Sequence, residues 1–103
     1  MLPFPAVKHP TYSLVLVKGL MRDGSWFITG EALDTAGELG FDQADVYDCI
    51  VSQLSETHFY KTMPAQSKLG TMQDVYHITY EGVRIYLKLQ IRVDAVVISF
   101  KEQ

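Results

Sequence analysis

The sequence has only one cysteine, Cys49, so an internal disulfide is excluded. It also has no long hydrophobic run that approaches the roughly 20 apolar residues of a membrane-spanning helix. Residues 1–10 contain three of the four prolines and lack the apolar core of a signal peptide. These absences predict a cytoplasmic protein that does not enter the membrane, with an irregular N-terminal arm over residues 1–9.

An excess of positive charge is missing as well. The 9 Lys and Arg residues are outnumbered by 12 Asp and Glu residues, for a net charge of −3, whereas general nucleic-acid-binding proteins are usually strongly basic. The charge is uneven, because residues 1–54 hold three basic and seven acidic side chains and residues 55–103 hold six and five. A site for a polyanion would therefore be local and would lie in the second half.

Motifs for metal-dependent or nucleotide-dependent chemistry are absent from the sequence. His9, His58 and His77 share no ligand spacing, and no cysteine or carboxylate cluster joins them. There is no Walker loop, no dinucleotide fingerprint and no pair of catalytic carboxylates. Ser55 with His58 resembles a nucleophile and its base, but Ser55-Glu56 is more typical of a helix end. We therefore expect no metal and no cofactor, and any catalysis would rely on N–H and O–H groups.

The composition, 48% hydrophobic and 20% charged, is that of an ordinary globular protein, and 103 residues predict one domain, 1–103. The first half carries helix start and stop signals. Its predicted elements are residues 11–22, which suit a helix or a strand; a β-prone piece at 25–29; a helix over 31–39 capped by Thr29; and a helix from Asp42 to about Leu54.

From Ser55 the hydrophobic period changes to two, which is typical of half-buried strands. The predicted strands are residues 57–63, 72–80, 84–93 and 95–101, with a loop at 64–70 and tight turns at Glu81-Gly82 and Val93-Asp94. Helices followed by strands predict an α+β domain in which three helices pack on a small antiparallel sheet.

The segment "RIYLKLQIRV", residues 84–93, alternates without a fault, and its polar side has no carboxylate. A two-residue turn at each end would fix the strand register. The turn at Val93-Asp94 pairs Arg92 with Ala95, Ile91 with Val96, Gln90 with Val97, Leu89 with Ile98, Lys88 with Ser99, Leu87 with Phe100 and Tyr86 with Lys101. The turn at Glu81-Gly82 pairs Thr79 with Arg84, His77 with Tyr86, Val75 with Lys88 and Gln73 with Gln90.

This register brings five polar side chains together on one face of the sheet. This polar patch consists of Gln73, His77, Tyr86, Lys88 and Lys101. It offers hydrogen-bond donors and cations and no acid, which suits a phosphodiester. A solvated basic face that merely discourages edge pairing stays open as the alternative. Asp74 breaks the pattern, because it falls on the apolar side opposite Leu89, where a β-bulge is possible.

Several runs closely resemble the motility quorum-sensing regulator toxins. They are "LSETHFYKTM" (54–63), "MQDVYHITYEGVRIYLK" (72–88) and "VVISFKEQ" (96–103), with "VKGLMRDG", "ALDTAGELGFD" and "CIVSQL" in the family's order upstream. The resemblance implies the toxin of a toxin–antitoxin pair, a messenger-RNA endoribonuclease, ribosome-dependent or free, with the fold of the RelE and YoeB toxins. It also favours a helix for residues 11–22. The implied partners are mRNA, with or without the ribosome, and a zinc-binding antitoxin with a helix-turn-helix domain. Operator DNA would be contacted only through this antitoxin.

The resemblance also implies the site residues. Its catalytic residues correspond to Lys61, Gln73, Tyr86 and Lys101, and three of these four are in the polar patch. We expect RNA binding by His77, Lys88, Arg84 and Arg92. His77 stands where the family pattern has an arginine, so this position would be charged only at lower pH.

Two other functions remain open from the sequence. One is a catalytically silent domain that binds its antitoxin and acts in transcriptional control. The other is a general single-stranded RNA binder, which would need more exposed aromatic residues, whereas Tyr60, Tyr76 and Tyr80 are expected in the core or at the sheet edge.

Overall fold

The computed structural model describes residues 9–66 and 70–103 and has the predicted α+β class. Its elements in chain order are helix α1 Leu14–Arg22, strand β1 Trp26–Ile28, helices α2 Gly30–Glu38 and α3 Gln43–Asp48, and strands β2 Phe59–Pro64, β3 Met72–Tyr80, β4 Val83–Ile91 and β5 Ala95–Glu102. Residues 1–8 of the predicted arm and 67–69 of the predicted loop lie outside the described residues.

The predicted helix caps are present. Thr29 Oγ1 accepts a hydrogen bond from Ala32 N at 3.1 Å, and Asp42 forms a reciprocal capping box with Asp45. Residues 11–22, which suited either a helix or a strand, contain helix α1, which begins after Ser13. The third helix is less regular than predicted, because it continues after Asp48 as a π-helical turn, Cys49–Gln53.

The sheet has five strands in the order β1-β5-β4-β3-β2. Strands β2 to β5 form the predicted antiparallel meander. Strand β1 pairs with β5 in parallel, which the sequence did not predict, since three β-prone residues carry no information about their partner. Strand β1 covers the first three residues of β5, 95–97.

The register predicted for β3 and β4 is confirmed for three of the four predicted pairs, since the pairing ends at Asp74 and Leu89, one residue before the predicted pair Gln73–Gln90. Glu81 and Gly82 both have positive φ, 48° and 79°, as the tight hairpin turn requires. Thr79 pairs with Arg84, His77 with Tyr86, and Val75 with Lys88.

The register predicted for β4 and β5 is correct only away from their turn. The predicted two-residue turn is wrong, because Ile91 pairs with Ala95 and residues 92–94 form a three-residue loop. A bulge at Ile98 then restores the predicted pairs. The wrong pairs are Arg92–Ala95, Ile91–Val96, Gln90–Val97 and Leu89–Ile98, and the confirmed ones are Lys88–Ser99, Leu87–Phe100 and Tyr86–Lys101.

The helices pack against one face of the sheet, where Ile85, Leu87 and Phe100 are fully buried. Asp74 belongs to this face and is 1% exposed. It pairs with Leu89 without a bulge, contrary to the bulge considered there. Its carboxylate instead accepts hydrogen bonds from the backbone N–H groups of Thr11 at 3.0 Å and Tyr12 at 2.8 Å. Asp74 therefore ties the segment before α1 to the sheet.

Within residues 9–66 and 70–103, no helix is long and apolar enough to cross a membrane.

Candidate active site

The candidate site lies on the sheet face turned away from the helices, called the open face below. Strand pairing forms two rows of side chains on this face. The first row is Lys61, Val75, Lys88 and Ser99, and the second is His77, Tyr86 and Lys101. The rows place Tyr86, Lys88 and Lys101 of the polar patch beside one another and add Lys61 to them.

Lys61 reaches the open face because strand β2 contains a bulge. The pairing shifts between Phe59, opposite Tyr76, and Lys61, opposite Val75, so that Tyr60 is the extra residue. Without the bulge, strict alternation would turn Lys61 toward the helices. With it, the consecutive residues Tyr60 and Lys61 both lie on the open face.

Two lysines flank the ring of Tyr86. The ammonium groups of Lys101 and Lys88 lie 5.2 Å and 5.8 Å from its centroid, a distance typical of cation–π contacts. Burial, followed by the charge of Tyr60, raises the pKa of Tyr86. The phenol is therefore protonated near neutral pH and can donate a hydrogen bond to a bound oxygen.

Lys88 lies among other cations. Burial and then the charges of Lys101 and Lys61 lower its pKa, against a smaller opposing effect of Glu31. A lowered pKa gives Lys88 a larger neutral fraction than an ordinary lysine has near neutral pH. It can therefore exchange a proton more readily than an isolated lysine.

Lys101 is exposed, but the backbone beneath it is fixed on both sides. Thr35 Oγ1 of α2 donates a hydrogen bond to the Phe100 carbonyl at 2.7 Å. On the β4 side, the Gln103 N–H donates to the Arg84 carbonyl at 2.8 Å. The backbone of β5 is thus held by hydrogen bonds both before and after Lys101 in the chain.

Gln73 is less accessible than the sequence indicated. It is 9% exposed, and its Nε2 donates a hydrogen bond to Gln90 Oε1 at 3.1 Å. Gln90, predicted on the polar side of β4, is 2% exposed. Gln73 reaches the surface through a cavity of about 330 Å³, whose lining residues are Glu31, Gln66, Gln73, Lys88, Ile98 and Ser99.

His77 is held between two tyrosines. Its ring stacks on Tyr60 with centroids 4.2 Å apart and planes at 19°, and it lies 5.9 Å from the ring of Tyr86. Burial and then the charges of Arg84 and Lys61 lower its pKa. The ring is therefore neutral near pH 7 and presents an aromatic surface.

The family model described as "Motility quorum-sensing regulator, toxin of MqsA" matches residues 9–102. The chain belongs to this toxin family. A relative, the mRNA interferase toxin MqsR of Escherichia coli (strain K12), is 37% identical over 96 residues, which are 93% of this chain and 97% of the relative. The resemblance read from the sequence motifs is confirmed.

In this member of the toxin family, the two predicted RNA-binding arginines lie at opposite ends of β4. Arg84 lies near the Glu81-Gly82 turn and pairs with Thr79 across the two strands. Arg92 lies in the loop after β4, about 26 Å from Arg84 along an extended strand. Of these two arginines, only Arg84 is close enough to His77 to lower its pKa.

The sequence did not predict that Tyr60 and Glu31 lie near the site. Tyr60 was expected in the core or at the sheet edge; it is on the edge strand, but its side chain is 50% exposed on the open face. Glu31 lies in the first turn of α2 and lines the cavity beside Lys88. No local pattern marks either residue, because a bulge and a helix–sheet contact place them.

Among residues 9–66 and 70–103, no group of three or more His, Cys, Asp or Glu side chains is arranged to hold a metal ion.

Proposed function

We propose that the chain is the toxin of a toxin–antitoxin pair and that it cleaves messenger RNA as an endoribonuclease. Membership of the toxin family and the similarity to an mRNA interferase toxin support this function. The observation that carries it is the placement of Lys88 and Lys101 against Tyr86 on the open face, with Lys61 in the same row as Lys88. We further propose that residues 1–103 act as one domain in the cytoplasm, where mRNA is found.

The proposed reaction is attack of a ribose 2′-oxygen on the adjacent phosphorus, without a metal. The bond from phosphorus to the 5′-oxygen breaks, which leaves a 2′,3′-cyclic phosphate and a 5′-hydroxyl. Three tasks follow: the 2′-OH proton is removed, the phosphorane charge is stabilised, and the departing 5′-oxygen receives a proton. The side chains of the open face suit these tasks.

We assign stabilisation of the negative charge on the phosphorane to Lys61 and Lys101, whose ammonium groups donate hydrogen bonds and accept none. Tyr86 donates its O–H to the phosphate or to the departing oxygen, because its raised pKa keeps it protonated. Lys88 and His77 have lowered pKa values and are the two groups suited to remove the 2′-OH proton. Gln73, which lines the cavity beside Lys88, orients the ribose.

The presence of Lys61, Gln73, Tyr86 and Lys101 also argues against a catalytically silent toxin fold. A domain that kept only antitoxin binding would be free to lose any of them. Their side chains are instead gathered on one face, or line the cavity that opens beside it.

The experiment is cleavage of RNA by the purified protein. We expect defined cuts, a 2′,3′-cyclic phosphate on the upstream product, and full activity in excess EDTA. A single 2′-deoxynucleotide at the cut position should block cleavage there. Loss of activity on chelation, or cutting at the 2′-deoxy position, would contradict the mechanism.

The function also implies partners. We propose that a cognate antitoxin binds the chain, that this antitoxin binds zinc and carries a helix-turn-helix domain, and that operator DNA is contacted only through it. Expression of the chain alone should arrest growth, and co-expression of its neighbouring gene should relieve the arrest. Cleavage with and without purified ribosomes decides whether the ribosome is required.

A further inference from the structure

Three aromatic rings form a line on the open face. Tyr60, His77 and Tyr86 follow one another, with centroid distances of 4.2 Å and then 5.9 Å. Tyr86 is the end of this line that contacts Lys88 and Lys101. Tyr60 is the outer end, and nothing in the proposed bond cleavage uses it.

The outer ring is unusually accessible for a tyrosine in a strand. Tyr60 is 50% exposed, while its neighbour Phe59 packs edge-on against the buried ring of Tyr76. The bulge in β2 causes this difference, because Phe59 stays on the core face while Tyr60, the extra residue, lies on the open face. The strand thus leaves a large aromatic surface in water beside a cluster of cations.

His77 supports this ring as a flat partner. The near-parallel stack, at 19°, fixes the orientation of Tyr60 before any ligand binds. Burial and nearby cations lower the pKa of His77, so the ring that supports Tyr60 is uncharged near neutral pH. A fixed ring loses little conformational freedom when a ligand binds to it.

We propose that Tyr60, supported by His77, is a stacking platform for one nucleobase of the RNA, next to the phosphate held at Tyr86 and the lysines. Single-stranded RNA is commonly bound by an aromatic ring that stacks on a base beside cations that track the backbone. The Lys61 ammonium, 5.6 Å from the Tyr60 centroid, supplies such a cation at the platform itself. This inference rests on the proposed function, because it places the base relative to the phosphate that is cut.

The chemistry of the platform determines what it recognises. Every base has a π-face, so stacking selects for the presence of a base more than for its identity. The platform therefore holds the strand in place, and its contribution should appear in KM and in RNA affinity. Tyr60 itself takes no part in the proposed proton transfers, so the effect of its removal on KM should exceed the effect on kcat.

The test uses a short cleavable RNA and a series in which each nucleoside near the cut is replaced in turn by an abasic ribose. For the wild-type protein, one abasic position should raise KM about five- to a hundredfold, the usual range for loss of one stacked base. Tyr60→Ala should raise KM for the intact RNA by a similar factor and should be insensitive to that one abasic position. Tyr60→Phe, which keeps the ring, should behave as wild type.

Phe27→Ala is the matched control, because Phe27 is another exposed aromatic, on the opposite edge strand. It should leave KM unchanged. Unchanged KM in Tyr60→Ala, or an equal effect of that variant on intact RNA and on every abasic RNA, would overturn the platform. Binding of an uncleavable RNA, with a 2′-deoxynucleotide at the cut position, is measured in parallel for all variants. The platform is thereby tested even if the wild-type protein cuts no RNA, a result that would refute the proposed function alone.

Discussion

Tyr86 and Lys101 are direct partners across strands β4 and β5, and the Lys101 ammonium lies 5.2 Å from the centre of the Tyr86 ring. Tyr86 lies on a strand that is paired on both sides. The β5 backbone next to Lys101 is hydrogen-bonded to Thr35 and to Arg84, so the pair is held by the fold. A cation and a phenolic donor in fixed register form a preorganised site for a phosphate oxygen.

Removal of the Lys101 ammonium should therefore abolish activity without unfolding the protein. In Lys101→Ala we expect loss of RNA cleavage and of toxicity, because a charge that stabilises the phosphorane is gone. The free energy of unfolding should change by no more than about 0.5 kcal/mol, as is usual for an exposed side chain. Cleavage assays and thermal melts check the two expectations separately.

The neighbouring residue provides the opposite case. Phe100 is fully buried on the core face, opposite Leu87. Phe100→Ala should cost about 3 kcal/mol or more of stability, and activity should fall only as the folded fraction falls. Full activity in Lys101→Ala, or equal destabilisation of both variants, would show that the open face is only a solvated basic surface.

The hydroxyl of Tyr86 should matter more than its ring. Tyr86→Phe keeps the ring between His77 and the lysines and removes only the donor. We expect the single-turnover cleavage rate to fall by about 10²- to 10⁴-fold, the usual contribution of a positioned proton donor, with RNA affinity almost unchanged. A variant that cleaves at the wild-type rate would remove Tyr86 from the proton-transfer steps.

Asp74 should be important for stability and unimportant for chemistry. Its buried carboxylate accepts the N–H groups of Thr11 and Tyr12, so Asp74→Ala leaves two donors without their partner. We expect a loss of about 3 kcal/mol in urea unfolding and faster amide exchange at Thr11 and Tyr12. The exposed Asp34→Ala is the control and should stay within about 0.5 kcal/mol of wild type. Equal stabilities of the two variants would contradict this role.

His77 should make stability depend on pH. Its pKa in the folded protein is lowered below the ordinary value of 6.5, so the unfolded chain binds more protons between these two values. The contribution of neutral His77 to the free energy of unfolding should consequently be fully present above pH 6.5 and should decrease as the pH falls toward the lowered pKa. Urea midpoints at pH 7.5 and 5.5 should differ less in His77→Gln than in wild type. An identical pH dependence in both proteins would show that His77 does not contribute.

Much of the fold followed from local chemistry. The alternation in β3 and β4, the Glu81-Gly82 turn, and the caps Thr29 and Asp42 each depend on a few neighbouring residues, and the structure has them where they were predicted. Once alternation and one tight turn are known, parity places His77, Tyr86 and Lys88 on the same face. The family motifs, which are also local in sequence, added Lys61 to the site.

The sequence by itself thus determined the α+β class, the family and most of the polar patch, because period, turn and motif are short-range properties. Only the tertiary structure decided what depends on long-range fit. The bulges at Tyr60 and Ile98 each add one residue without a partner to a strand, and the first of them turns Lys61 onto the open face. Asp74 looked like a misfit within its strand, and its partners at Thr11 and Tyr12 lie more than 60 residues away. A buried carboxylate is stable only where donors hydrogen-bond to it, and only the folded chain brings these donors to Asp74.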